Sequence, residues 1–423
     1  MNVLVVGGGG REHAIIQALR KNTEIETIYA LPGNGGIAKH ATCVDVKATD
    51  IPGIVEFAKT HPVGFAVVAP DDPLVLGCVD ALHEIGIECF GPRKNAAIIE
   101  GSKAFSKDLM KRYGIPTAAS EAFDECEAAV AYIKNSPAPM VVKADGLALG
   151  KGVIICETRE DAVAAATNML EGGAFGKSGS RIVIEEFLEG PEVSVLAFTD
   201  GNVVVPMVSS MDHKRALDGD KGLNTGGMGA VAPNPYYTDR VAAACMESIF
   251  LPTVRAMKAE GREFRGCLYF GLMLTKDGPR VIEYNCRFGD PEAQAVLPLI
   301  ESDLFDVMRA TAAGRLSEID VKFARGKHSC CVVIASKGYP EKYEGGFPIS
   351  LPETGEGEFA YVAGARLLDG ALVSAGGRVV GLTATGGTLR EAIDRAYALA
   401  DRAEFENGYM RRDIGARATE AVH

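Results

Sequence analysis

The sequence predicts a multidomain α/β protein: an N-terminal doubly wound parallel sheet, a central α+β body with a mobile α+β lid, and a small C-terminal α+β domain. Three observations predict it. Residues 2–90 alternate short apolar runs with helical patterns, joined by Gly- and Pro-containing turns, the order of a parallel sheet covered on both faces. From 101 to 190 the pattern changes to short strands flanking Gly-rich loops. Near 325 the chain restarts with the apolar strand CCVVIAS. These shifts place the domains at 1–100, 101–324 with a lid subdomain at 120–190, and 325–423.

Each element follows from local pattern. Residues 2–6, NVLVV, read as a buried strand, and the glycines at 7–10 lead into a helix over 11–21 with Ala14, Ile15, Ala18 and Leu19 apolar. A strand at 27–31, the loop PGNGG at 32–36 and a helix at 51–60 follow. Then come a strand at 65–69, a helix at 73–85 and a strand at 87–90. The second unit predicts helices at 102–113, 125–135 and 161–170, with strands PMVVKA, GVIICE and RIVIEEFL between Gly loops. Strands return in SVLAFTDGNVVVP, and a long Gly-rich loop is expected at 212–235. A helix at 239–260, strands CLYFGLMLT and RVIEYN, and helices near 292–300 and 304–313 complete the centre. Short strands and turns then lead to a last helix at 388–405.

Composition narrows the function. The chain has 423 residues, 47% of them hydrophobic, and 49 glycines, which is an ordinary globular composition rich in turns. A net charge of −12 argues against nucleic acid and against an anionic membrane surface as partner. The ten cysteines show neither Cys-x-x-Cys pairs nor zinc spacing, and most lie in apolar runs, as in a reducing compartment. The seven histidines are scattered. The N-terminus opens directly on a strand with no leader pattern, and no apolar run reaches membrane-spanning length, so a cytoplasmic location is expected.

The chemistry concentrates in two stretches. In RVIEYNCRFGD, 280–290, period two sends Ile282, Tyr284 and Cys286 one way and Glu283, Asn285 and Arg287 the other. A carboxylate and an amide oxygen are hard ligands suited to Mg²⁺, and a guanidinium beside them suits a phosphate oxygen. The same face would also serve as a solvated surface with an internal ion pair. In MVVKADGLALGKGV, 140–153, a lysine on a buried strand needs an anionic partner, and a Gly loop with Lys151 follows at once. Gly146, Gly150 and Lys151 approach a P-loop, but Gly152 stands where Ser or Thr is required. IVIEEFL, 182–188, offers Glu185, Glu186 and Leu188 to an adenine, and Glu192 to ribose hydroxyls. The N-terminal glycines do not form a dinucleotide fingerprint, because the third glycine position is Glu12 or His13 and no acid ends the second strand. Their free N–H groups at a helix start still suit a phosphate.

A strand lysine, a Gly lid, an acidic hinge strand and a Glu-x-Asn-x-Arg strand, in that order, resemble the parts of an ATP-grasp ligase. GGGREHA (8–14), PGNGG (32–36), EGSKAFSK (100–107), KADGLALGKGV (143–153), DHKR (212–215), NTGGMGA (224–230) and NCRFGDPEAQ (285–294) together resemble the glycinamide ribonucleotide synthetase family over essentially the whole chain. The resemblance implies an ADP-forming carbon–nitrogen ligase of purine (IMP) biosynthesis. It would join glycine to 5-phosphoribosylamine with ATP through glycyl phosphate, using Mg²⁺ or Mn²⁺. Its partners would be these small molecules, with no nucleic acid, membrane or obligate protein partner.

By match to the family's motifs, Lys103, Lys143, Gly146, Gly150 and Lys151 would hold ATP phosphates, and Glu185, Glu186, Leu188 and Glu192 the nucleoside. Glu283 and Asn285 would bind the metal and Arg287 the transferring phosphoryl group, with Asp290 beside the glycyl pocket. Asp212, Lys214, Asn224 and Gly226 would shape that pocket. Gly9, Gly10, Arg11, Asn34 and Asp71 would hold phosphoribosylamine. Two departures stand out: Gly271 falls where related ATP-grasp enzymes add a metal carboxylate, and PDDPL (70–74) offers Asp71 where a Glu is usual. Three rivals remain. One is another ATP-grasp ligase, such as a biotin-dependent carboxylase subunit, which RFGDPEAQ, DHKR and NTGGMGA disfavour. A nucleotide-binding regulator would not need the set Lys143, Glu283, Asn285 and Arg287. An NAD-dependent oxidoreductase lacks its third glycine.

Overall fold

A computed structural model describes residues 1–147, 152–173 and 176–421. The N-terminal sheet is parallel, in the order Thr42–Cys43, Thr27–Pro32, Asn2–Gly7, Val63–Val68, Glu88–Phe90. Its first strand shows why both faces must be covered. Leu4 and Val6 enter one core with Ile54 and Leu82 from helices Ile51–Thr60 and Cys78–Glu84. Val3 and Val5 enter the opposite core with Ile15, Ile16 and Leu19 of helix Gly10–Leu19. Each of these side chains contributes about 2 kcal/mol on burial, so the strand is fixed from both sides.

The two cores continue into a four-stranded antiparallel sheet, ordered Val204–Pro206, Glu192–Thr199, Gly266–Thr275, Gly278–Asn285. The segment over 120–190 has its own antiparallel sheet, ordered Ser120–Phe123, Ile182–Glu186, Met140–Ala144, Val153–Cys156. Helices Cys126–Asn135 and Arg159–Leu170 close one face of it over Met140, Val142 and Ile184. Period two then sends Lys143 and Glu185 to the other face.

The structure corrects four expectations. The helix expected at 73–85 is two helices, Asp71–Leu76 and Cys78–Glu84, broken at Gly77, whose φ of +96° is left-handed and ends the first. The helix at 239–260 contains a π-turn over Met246–Phe250 between Asp239–Cys245 and Leu251–Ala259. The helix expected at 388–405 is Leu389–Ala400, five residues short of the expected end, and a further short helix, Ala416–Glu420, follows it. Half of the long loop expected at 212–235 is strand. Met211–Asp212 and Gly229–Ala232 join the C-terminal sheet, in the order Met211–Asp212, Gly229–Ala232, His328–Ser336, Arg378–Gly386, Glu358–Val362, and Arg215–Leu217 pairs with Lys221–Asn224. Glycine at 229 is required by contact: a Cβ there would lie 2.6 Å from the Cys331 carbonyl oxygen.

Candidate active site

A cavity of about 1150 Å³ opens between the 120–190 sheet and the central sheet, and the C-terminal domain contributes to its wall. Its floor is strand Gly278–Asn285. Gly271 pairs with Glu283 and Leu272 with Val281, which leaves Ile282 unpaired in a β-bulge. Val281 therefore takes the core with Tyr284 and Cys286, while Ile282 lines the cavity, contrary to strict alternation. The bulge turns the Ile282 carbonyl toward Lys143, whose Nζ donates to it at 3.2 Å.

Glu185 is 4% exposed and lies between two lysines, 2.9 Å from Lys143 Nζ and 2.8 Å from Lys107 Nζ. Burial pushes the Glu185 carboxyl up, yet the two lysines hold it below its ordinary value. Lys107 Nζ also donates to Thr117 Oγ1 at 2.7 Å, and burial pushes this lysine down to about 8 despite Glu185. The carboxylate expected to meet an adenine is thus spent on two lysines, and the trio keeps one net positive charge in the cavity wall. Lys103 Nζ donates to the Gly146 carbonyl at 2.9 Å. Ser178 Oγ donates to the Leu147 carbonyl at 2.8 Å, so the two Gly-rich loops meet. Gly150 and Lys151 lie outside the described residues.

Around Glu283 the field is positive. Burial raises its carboxyl, but Lys214, Lys143, Lys103 and Arg287 together hold it below the ordinary range, hence ionised. Lys214 Nζ lies 3.0 Å from Glu192 Oε2 and 4.0 Å from Glu283 Oε1. An ionised carboxylate and the Asn285 amide on one cavity wall fit a hard divalent cation that keeps waters or phosphate oxygens. A Cβ at Gly271 would lie 3.0 Å from Glu283 Cγ, so a carboxylate there would crowd Glu283. Among the described residues no cluster of three or more His, Cys, Asp or Glu forms a metal cage.

Arg287 is braced by residues far away in sequence. Its Nη2 lies 3.0 Å from Glu100 Oε1 and 3.6 Å from Asp71 Oδ2. Glu100 Oε2 also accepts from Cys286 N at 2.7 Å. Asp71 is pushed up by burial but held low by Arg287 and Arg11. Arg11 Nη1 donates to the Phe288 carbonyl at 3.1 Å and Nε to Glu12 at 2.6 Å, so it too supports the 285–290 turn.

Of the expected site residues, Arg11, Asp71, Lys103, Lys143, Glu185, Glu186, Leu188 and Glu192 line this one cavity. Asp212, Lys214, Asn224, Gly226, Glu283, Asn285, Arg287 and Asp290 line it as well. Gly9, Gly10, Asn34 and Gly146 do not. Asn34 Nδ2 donates to the carbonyls of Gly8 (2.9 Å) and Val362 (2.8 Å), and its Oδ1 accepts from Gly36 N (2.8 Å) and Ile37 N (2.9 Å). Sequence reasoning missed Glu100, Lys107, Glu292, Tyr339 and Arg378. Lys107 carried a signal, one helical turn after Lys103. Tyr339 and Arg378 come from the C-terminal domain: Gly226 N donates to Tyr339 Oη at 3.0 Å and Arg378 Nη1 to the Gly226 carbonyl at 2.8 Å.

Comparison with known proteins bears on this geometry. Residues 1–100 match the family described as phosphoribosylglycinamide synthetase, N domain; 101–293 match its ATP-grasp (A) domain; and 329–417 match its C domain. The chain is 48% identical to phosphoribosylamine–glycine ligase of Vibrio vulnificus (strain CMCP6), over 99% of this chain and 98% of that one. It is 46% identical to the enzyme of the same name from Agrobacterium fabrum, over 99% of each. The crystal structure of phosphoribosylamine–glycine ligase from Thermotoga maritima superposes with a TM-score of 0.87 at 35% identity, covering 98% of this chain and 100% of that one. The biotin carboxylase domain of Hydrogenobacter thermophilus 2-oxoglutarate carboxylase, a complex with MgADP, shares the fold at TM-score 0.76 and 19% identity, over 100% of this chain and 94% of that one.

Proposed function

The chain belongs to the phosphoribosylglycinamide synthetase family, and from that premise we propose how its own residues carry out the reaction. It is an ADP-forming carbon–nitrogen ligase of purine biosynthesis that joins glycine to 5-phosphoribosylamine with ATP. The observation that carries the residue assignment is the convergence of Lys103, Lys143, Lys214, Glu283, Asn285 and Arg287 on one cavity.

The course is two displacements. A glycine carboxylate oxygen attacks the γ-phosphorus of ATP, the bond to the β-phosphate oxygen breaks, and ADP leaves as glycyl phosphate forms. The amine of phosphoribosylamine then attacks the acyl carbon, loses a proton, and expels phosphate. Lys143, fixed by Glu185 and the Ile282 carbonyl, presents a positive charge to the phosphate chain. Lys103 does so from the neighbouring helix. Arg287, held by Glu100 and Asp71, faces the transferring phosphoryl group. A divalent metal, Mg²⁺ or Mn²⁺, would be held by Glu283 and Asn285 and would neutralise phosphate charge. Catalysis here is positioning and charge, with no protein nucleophile.

Nucleoside contacts fall to Glu186, Leu188 and Glu192, and phosphoribosylamine to the Arg11 and Asp71 side of the cavity. The 120–190 unit is the lid that closes over ATP. All ten cysteines are free, which supports a cytoplasmic setting. The test is ADP release by the purified protein with ATP and Mg²⁺, with phosphoribosylamine generated in place. Turnover that needs both glycine and phosphoribosylamine is expected. ATP hydrolysis indifferent to glycine would sink the reading.

A further inference from the structure

A second cavity, of about 200 Å³, lies along helix Gly10–Leu19 and shares no lining residue with the active cavity. Arg11, in the first turn of that helix, lines the active cavity, whereas Ala14, Gln17, Ala18, Arg20 and Lys21 line this one. Ala14 and Ala18 stand one helical turn apart and leave a gap between the helix and strand Glu358–Val362. On that strand Phe359 and Tyr361 share a face by period two, and their rings stack with centroids 5.7 Å apart at 8°. Leu297, Pro298 and His40 complete the lining.

The protein leaves the polar groups of this cavity unmatched. Tyr361 is 2% exposed, yet among the described residues its hydroxyl has no hydrogen-bond partner. A buried phenol ordinarily finds one. The ring nitrogens of His40 are also without a partner among the described residues. No carboxylate of the described residues lies within 4.0 Å of Arg20, Lys21 or Lys39. Burial first, then Lys39 and Arg20, push His40 below its ordinary value, so the local field is positive in a chain whose net charge is −12. Cations at a helix C-terminus offset its dipole, which accounts for Arg20 and Lys21. It accounts neither for Lys39, which belongs to the separate turn Ile37–Lys39, nor for the Tyr361 hydroxyl.

Size and chemistry together restrict the occupant. A dry cavity of about 150 Å³ takes benzene, so this one takes a single ring with a small substituent, and a whole nucleotide is too large. Alanine, leucine, proline and phenylalanine walls suit the ring. A buried hydroxyl donor beside uncompensated cations suits an anionic acceptor on that ring.

We infer that this cavity is a second ligand site, built for one planar aromatic ring bearing a carboxylate. The ring takes the wall of Phe359 and the two alanines, and the carboxylate takes the Tyr361 hydroxyl and the charge of Arg20 and Lys21. Val362 N, next to Tyr361, donates to His13 of the same helix at 2.8 Å. An occupant therefore clamps the helix that carries Arg11 to the C-terminal domain. The site is independent of the ligase reading, because the two cavities have no residue in common.

The experiment titrates benzoate into the full-length protein, with and without ATP–Mg²⁺, by calorimetry and by the ring signals of its seven histidines in magnetic resonance. His40→Gln identifies the His40 signal. A fragment of this size should bind with a Kd on the order of 1 mM, shift the His40 signal, and raise the melting temperature. ATP–Mg²⁺ should leave the binding unchanged. Tyr361→Phe removes only the unpartnered hydroxyl, so it should fold normally and weaken binding about fivefold. The double change Arg20→Ala with Lys21→Ala should weaken it about tenfold. Ala18→Phe fills the cavity from a half-buried position and should abolish binding. Benzyl alcohol, which lacks the charge, and acetate, which lacks the ring, should each bind more weakly than benzoate. Benzoate that leaves the His40 signal unmoved, or binds all the folded variants as it binds the parent, overturns the inference. So does displacement by ATP–Mg²⁺, which would put benzoate in the active cavity, or acetate binding as tightly as benzoate, which would reduce the site to surface charge.

Discussion

Arg378 Nη1 lies 3.3 Å from Asp290 Oδ1, so a strand of the C-terminal domain reaches across to the turn that follows strand Gly278–Asn285. The same Nη1 donates to the carbonyls of Asp290 (2.7 Å) and Gly226 (2.8 Å). Asp290 Oδ1 also accepts from Gln294 Nε2 at 2.7 Å, and Oδ2 accepts from Arg11 N at 3.5 Å. One carboxylate thereby joins segments from all three sequence regions. Burial raises it, but Arg378 and Arg11 hold it ionised below the ordinary range. Asp290 is accordingly a brace for the site more than a free group within it.

Arg378→Ala should lower kcat/KM about 100-fold by releasing the 224–230 loop and the 290 turn. Arg378→Lys keeps the charge but lacks the planar guanidinium that sets Nη1 between its acceptors, and should recover only part of the loss. Steady-state kinetics on both variants, with circular dichroism to show that the domain remains folded, checks this. Wild-type kinetics in the alanine variant would dismiss the brace.

Glu283→Gln keeps the shape of the side chain and removes its charge. Turnover should fall on the order of a thousandfold, the rate equivalent of several kcal/mol. The Mg²⁺ concentration for half-maximal rate should rise in parallel. Thermal melting should stay close to that of the parent protein, because Lys214 keeps Glu192 as a partner at 3.0 Å. Activity near the parent level would remove Glu283 from the metal site.

Much of this site was legible in the sequence. Period two placed Glu283, Asn285 and Arg287 on one face, and a buried strand lysine demanded the anion that Glu185 supplies. What was not legible depends on pairing over long separations. The strand at Gly229–Ala232 looked like loop because its partner, His328–Ser336, lies about a hundred residues away, and Met211–Asp212 is held in turn by Gly229–Ala232. The bulge at Ile282 arises from register against the preceding strand, which a single strand's pattern does not encode. Tyr339 and Arg378 sit in an otherwise ordinary C-terminal sequence and acquire meaning only through the loop they grip.

Glu185→Ala would leave Lys107 and Lys143 buried without a counter-charge. Removing one member of a buried ion cluster costs about 3–5 kcal/mol, and the melting temperature should drop accordingly. The KM for ATP should rise as well, because Lys143 loses the partner that aims it. Pairing the change with Lys107→Met should restore part of the stability, since Lys143 stays buried without its carboxylate, but not ATP affinity, a separation readable by differential scanning calorimetry and kinetics. A single variant as stable as the parent would show that the cluster is solvated.

Acid should loosen the C-terminal domain. His13 Nδ1 accepts from Val362 N at 2.8 Å, and His213 Nε2 accepts from Gly415 N at 3.1 Å, so both dock that domain as neutral rings. Burial, reinforced by nearby positive groups, pushes His13 down to about 3 and His213 to about 4. In the unfolded chain both titrate near 6.5. The unfolded state therefore binds more protons between these values. Stability from the two rings is complete above pH 6.5 and is lost as pH falls toward 4, by a few kcal/mol apiece at most. Chemical denaturation between pH 7 and pH 4.5 should show the decline, and His13→Gln should blunt it. A flat profile would mean that neither ring is held neutral.

Asn34 tests whether the PGNGG loop binds substrate through this side chain or through the backbone it shapes. Its amide already makes four hydrogen bonds, to Gly8, Gly36, Ile37 and Val362, which leaves nothing for a ligand. Asn34→Asp keeps the two accepting bonds but sets an oxygen against two carbonyls, so it should destabilise by about 2 kcal/mol. The KM for phosphoribosylamine should rise only as far as the loop distorts. Asn34→Ala removes all four bonds and should be no better in stability. If instead both variants melt like the parent while the KM for phosphoribosylamine climbs, Asn34 is a direct ligand, and the four bonds are exchanged for substrate when it binds.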